Sequence, residues 1–226
     1  MILTVIVLIG VCFNYFSGDK KGTNVPPVLQ KDTGSFSYIA DHYDGPYVVV
    51  NNNQPQFEKW MLDLKEAEIY SPLDSLGRCG PAYAVVTRQT MPKQKRGVIG
   101  HVRPTGWPKK YDKNAVPYNR CHLIGHQLCA EDDNVSNLIT GTKYFNVTGM
   151  LPFENEVADY VKRKGKPVLY RVVPIFVGNE LVARGVTMEA YSLQDNGKSV
   201  CFNVFVPNIQ PGFVIDYKTG ASKKVK

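Results

Sequence analysis

Tyr118-Asn119-Arg120-Cys121-His122-Leu123-Ile124-Gly125-His126, continued by Asn137-Leu138-Ile139-Thr140-Gly141-Thr142-Lys143-Tyr144-Phe145-Asn146 and Gly149-Met150-Leu151-Pro152-Phe153-Glu154-Asn155, is the stretch on which this chain turns. Its last part leads into a helix predicted from about Pro152 to Lys164, because proline suits a first turn and Gly165 a helix end. Beyond it, Val168 to Val177, Leu181 to Ala190 and Val200 to Val206 are apolar, β-branched runs that read as strands. Gly178-Asn179 between the first two reads as a hairpin turn. Upstream, Tyr47 to Val50 is a short β-like run closed by Asn51-Asn52-Asn53, and Tyr83 to Thr87 is a further strand. Phe57, Trp60, Met61 and Leu64 recur at helical spacing, which predicts a helix over Phe57 to Ala67. Pro104 to Trp107 reads as a turn. The sum is an α+β domain: an antiparallel β-sheet core with few helices.

The chain has 226 residues, enough for one sizeable core. Its first residues, MILTVIVLIGVCFNYF, suit a signal-peptide core or a membrane anchor. The expected organisation is therefore signal peptide or anchor at 1–17, a polar Pro-containing linker at 18–35, one domain at 36–217 and a basic tail at 218–226. A secreted or membrane-anchored extracellular location follows. Asn134-Val135-Ser136 and Asn146-Val147-Thr148 are glycosylation sequons. A glycan on Asn146 is incompatible with the role assigned to it below, which favours a bacterial exporter. Five cysteines are present; the four beyond the anchor (Cys79, Cys121, Cys129, Cys201) allow three pairings, and none is preferred.

The formal net charge of +7 attracts polyanions. From Ala82 to Tyr111 there is no Asp or Glu, yet the stretch carries cations including Arg88, Arg96, Arg103, Lys109 and Lys110, with Trp107 and Tyr111 among them. Cations beside aromatics suit a phosphate backbone whose bases can stack; a solvated basic loop has the same composition. The lysines and arginine at Lys162–Lys166 are explained by a helix C-terminus alone. No G-x-S-x-G or P-loop is present, so hydrolase-elbow and nucleotide-triphosphatase readings lack support.

The opening stretch resembles the ββα-metal, or His-Me finger, family of DNA/RNA non-specific endonucleases, and most of all its exported Gram-positive branch of DNA-entry nucleases and streptococcal DNases. That family carries D-R-G-H followed by an asparagine on a helix. Asn119-Arg120-Cys121-His122 fills the first slot, with Asn for Asp and Cys for Gly, and Asn146 fills the second. The resemblance implies a ββα-metal finger and a sequence-nonspecific endonuclease of DNA and RNA, with Mg²⁺ or Mn²⁺ as cofactor. Within it, His122 would be the general base, since a neutral imidazole can take a proton from water. Asn146 would be the metal ligand, because Mg²⁺ keeps its waters and needs few protein donors. Glu154, at the matching spacing, would orient the metal's waters, and Asn137 would support the site. Arg120 would grip the phosphate with its planar fork.

Blander readings stand beside these. Glu154 suits a helix first turn without any catalysis, Asn137 a cap or turn, and Arg120 a salt bridge. Cys121, His122, His126 and Cys129 form C-H-x3-H-x2-C, a zinc-like set. Adjacent ligands on a strand would point to opposite faces, however, and the spacing is not that of a knuckle. His126 is read as a pocket-edge or packing residue. The two departures from D-R-G-H keep open a non-catalytic DNA-binding surface protein of the same fold; a zinc-stabilised adhesion module is a third class.

Overall fold

The computed structural model describes residues 36, 42–43, 45–65, 67–108 and 115–225. The expected anchor at 1–17, with Cys12, and the linker at 18–35 lie outside the described residues, as do Lys109, Lys110 and Tyr111. Among the described residues no helix is long and apolar enough to cross a membrane.

The elements of the described residues run in the order β1 (Val48–Val49), α1 (Lys59–Leu62), β2 (Glu68–Tyr70), β3 (Ala82–Val86), β4 (Tyr118–His122), α2 (His126–Cys129), β5 (Leu138–Thr142), α3 (Leu151–Lys164), β6 (Val168–Ile175), β7 (Gly185–Ser192), β8 (Cys201–Pro207), β9 (Phe213–Ile215) and β10 (Ser222–Lys224). Six strands form one antiparallel sheet in the order β1-β8-β7-β6-β3-β2. Its central strands are buried on both faces, which is why they read as continuous apolar runs.

Alternation along each strand separates two cores. Ala82, Ala84, Tyr170, Val172, Met188 and Val204 face one side, where Val157, Ala158 and Val161 of α3 pack together with Leu123, Ile124 and Leu128. Tyr83, Val85 and Leu169 face the other, against Phe57 and Met61. That second face also buries an ion pair. Arg171, 1% exposed, donates from Nε to Glu189 Oε2 at 2.6 Å. Glu189 Oε1 accepts from the Gln56 amide at 2.7 Å and from Asn203 Nδ2 at 3.1 Å. Arg171 Nη2 donates to the Gln56 carbonyl at 2.8 Å. The pair thereby fastens the segment before α1 to the back of the sheet.

β4 and β5 form a separate two-stranded antiparallel ribbon in which His122 lies opposite Leu138. After it comes a π-helical stretch, Phe145–Met150, whose last residues keep right-handed helical angles and run straight into α3. Ribbon and helix together are the ββα finger. Pro152 sits in the first turn of α3, and Gly165 ends it at φ +66°, with its N–H donating to the Val161 carbonyl at 2.8 Å.

Three expectations are corrected. The helix read over Phe57 to Ala67 is only Lys59–Leu62. Phe57 and Met61 are buried on the sheet, and the chain must leave the helix to enter β2. The strand read from Leu181 begins at Gly185 instead, because the Leu181 and Val182 amides donate to the Tyr217 carbonyl at 3.0 and 2.9 Å. The turn at Gly178-Asn179 therefore sits inside a longer loop. The tail read at 218–226 contains β10, which pairs with β9 through a turn closed by Asp216, with Gly220 at φ +81°. No disulfide joins the described cysteines.

Candidate active site

The residue types of the motif converge on a cleft of about 200 Å³ lined by Arg96, Arg120, His122, His126, Asn146 and Glu154, among others. His122 closes β4 and is 6% exposed. Its Nε2 lies 2.7 Å from the main-chain carbonyl of Asp132, which can only accept, so Nε2 carries the proton and donates. Nδ1 is left with the lone pair, and Arg96 Nη2 stands 3.5 Å from it. Burial lowers the imidazole pKa to about 4; the Asp132 carbonyl works against this and the Arg96 charge with it. The ring is therefore neutral at neutral pH.

The Asp132 carboxylate also lies close to a second imidazole. Its Oδ1 is 3.1 Å from His126 Nδ1, which also lies 3.3 Å from the Glu131 carbonyl. His126 Nε2 is buried with no hydrogen-bond partner.

Asn137 is fully buried and does not line the cleft. Its Oδ1 accepts from the Ile124 amide at 2.8 Å, its Nδ2 donates to the Ile124 carbonyl at 3.0 Å, and its own carbonyl accepts from the Leu123 amide at 2.8 Å. It clamps the chain just beyond His122. Asn146 is half-buried on the π-helical stretch and lines the cleft, a place where such irregular turns often present functional groups.

Glu154 is buried, and desolvation raises its carboxyl pKa to about 7, with Gln127 and the Arg96 charge pulling the other way. Its carboxylate rests on Gly125, where a Cβ would lie 2.5 Å from Oε2. Any larger residue at 125 would displace it.

Arg120 departs from the expected free phosphate fork. Its Nε donates to the Val102 carbonyl at 2.6 Å, its Nη2 to the Gly100 carbonyl at 2.8 Å, and the guanidinium lies 4.0 Å over the Trp107 ring. Cys121, the other side of the same strand, is fully buried, and a Cβ at Gly141 would lie 2.5 Å from its Sγ. It faces away from the cleft, and burial holds its thiol pKa far up. Among the described residues no group of three or more His, Cys, Asp or Glu side chains could hold a metal. The donors that fit a hard divalent ion are the Asn146 amide and the buried Glu154 carboxylate, whose ionised form is disfavoured by burial despite the nearby Arg96 charge.

Sequence reasoning brought His122, Asn146, Glu154 and Arg120 to this place, and it missed three contributors. Arg96 carried a signal, as one cation of the acid-free stretch. Gly125 and the Asp132 carbonyl carried none, since close approach and main-chain acceptors leave no residue-type mark.

A finger of this shape, with a histidine and an asparagine facing one cleft, defines a class of nuclease fold. The family model described as DNA/RNA non-specific endonuclease matches residues 59–194, and the chain belongs to that family. It is similar to a deoxyribonuclease of Streptococcus dysgalactiae subsp. equisimilis, at 29% identity over 67% of this chain, and spans 59% of that relative's length. Among solved structures it is similar to NucA from Streptococcus agalactiae with magnesium bound, with TM-score 0.67 and 25% identity, covering 84% of this chain and 95% of the other. The Sda1 nuclease with bound zinc gives TM-score 0.65 and 25% identity, covering 83% and 99%.

Proposed function

We propose that this chain is a metal-dependent endonuclease that hydrolyses the phosphodiester bonds of DNA and RNA without sequence preference. The observation that carries the reading is the polarity of His122: its N–H is tied to a main-chain carbonyl, its lone pair stands beside Arg96, and the residue lines a cleft with Arg96, Asn146 and Glu154. In that arrangement Nδ1 accepts the proton of the attacking water. Arg96, beside the base, neutralises a non-bridging phosphoryl oxygen. Asn146 and Glu154 would hold a Mg²⁺-type ion, or Mn²⁺ in its place. When bound, such an ion supplies charge neutralisation on the phosphate and on the leaving oxygen. Asn137 and the Asp132 carbonyl are positioning groups. Contacts to phosphate carry no direct sequence information, which accounts for nonspecificity.

The non-catalytic reading rested on Asn119 and Cys121. Neither lines the cleft around His122, which removes its motive. The apolar run at 1–16 supports export to the cell exterior, where such an enzyme meets foreign nucleic acid; fractionation of the expressing cell checks this. Digestion of supercoiled plasmid and of total RNA, with Mg²⁺ and with EDTA, tests the function. Metal-dependent degradation that disappears in His122→Ala is expected. Undiminished cleavage by that variant would reject His122 as the base, and no cleavage by the folded wild-type chain would reject the enzyme.

A further inference from the structure

A second cleft, of about 370 Å³, adjoins the first and shares Arg96, Arg120 and Asn146 with it. Whatever occupies it therefore sits beside the phosphate that faces His122. Ile99, Trp107, Tyr118 and Asn119 also line it, and among the described residues no acidic side chain does.

Arg120 is the decisive residue. Two of its N–H groups are held by the Val102 and Gly100 carbonyls, so the guanidinium is fixed over the Trp107 indole, 4.0 Å from the ring centroid, before any ligand arrives. A stacked guanidinium and indole form a rigid, planar, cationic surface. Such surfaces bind nucleobases through their π-faces with little regard to identity. The wall also offers an amide, from Asn119.

We infer that this cleft is a nucleobase subsite flanking the scissile phosphate, with the Arg120–Trp107 stack as its platform. The inference rests on the endonuclease reading of the neighbouring cleft. A base enters only if it leaves its own stack, so the subsite favours single-stranded or frayed nucleic acid over intact duplex.

The test is equilibrium binding to the full chain in EDTA, which suppresses metal-dependent cleavage and leaves binding as the readout. The probes are a fluorescent oligothymidylate of eight nucleotides and an abasic eight-mer with the same phosphates. The wild type is expected to prefer the base-bearing strand by about tenfold or more, the scale of stacking one base on an aromatic side chain. Trp107→Ala is expected to bring the two within about twofold, and Trp107→Phe to retain most of the preference. Equal affinities in the wild type, full preference in Trp107→Ala, or no binding of either strand at low salt would overturn the subsite. If Trp107→Ala loses both probes together, Trp107→Phe decides: preference kept supports the platform, preference lost rejects it. Failure of the enzyme reading shows separately, as intact plasmid in Mg²⁺.

Discussion

His122 is buried as a neutral ring, and burial has a direction in pH. Its pKa of about 4 lies below the ordinary value near 6.5, so the base remains competent well into mild acid. The His122-dependent fall in kcat/KM is expected as pH drops toward 4, with no loss between 8 and 6 assignable to this ring. A fall centred near 6.5 that tracks His122 would show the ring to be solvated instead. The same shift makes acid destabilising: unfolded chains take up a proton below about 6.5 while the folded ring resists until about 4. Glu154 runs the other way. Its carboxyl is held near 7, so the stability it contributes is complete below the ordinary carboxylate range and is lost as pH rises through about 7. Glu154→Gln is therefore expected to raise the melting temperature at pH 8 in EDTA by a few degrees, about 2–4 °C for each kcal/mol at this size, while cleavage falls. At pH 4, below the ordinary carboxylate value, the difference should vanish. These residues were legible by type and spacing; their protonation states were not, because burial and the Asp132 carbonyl arise only on folding.

At the scale of elements, α3 could be read almost to its ends, since proline and glycine act locally on the backbone. Gly165→Ala places a side chain at φ +66° and is expected to lower stability by about 1 kcal/mol, measured by urea unfolding. The ribbon was harder to see. Tyr118–His122 shows an asparagine, an arginine and a histidine because its open side lines clefts rather than a core, so no apolar alternation marks it as a strand. The loop before β7 was misread because Leu181 and Val182 are apolar for a different partner, Tyr217. Asn137→Ala strips both polar main-chain groups of Ile124 of their partners. A loss of about 1–3 kcal/mol per unsatisfied group is expected, together with lower kcat as the end of β4 shifts. Unchanged stability in that variant would place the clamp elsewhere.

For the molecule as a whole, antiparallel pairing and the α+β class followed from the apolar runs, whereas the finger beside the sheet followed only from the family resemblance of the motif. Pairing between distant strands has no local signature. The sheet's rear face hides one polar cluster, and Glu189→Ala would leave Arg171 charged and buried without its partner. A loss of about 3–5 kcal/mol is expected by denaturant titration. The net charge of +7 makes nucleic-acid binding fall steeply with salt. Arg96→Gln should reduce the slope of log K against log salt by about one unit. The manner in which His122 is anchored bears on how such a chain drifts over generations. A histidine aligned by a side-chain carboxylate is one codon change from losing its alignment. Here the acceptor is the peptide carbonyl of residue 132, which every amino acid supplies. Lineages can therefore exchange the side chain at 132 without erasing the acceptor, and divergence can accumulate around the base before its orientation is lost.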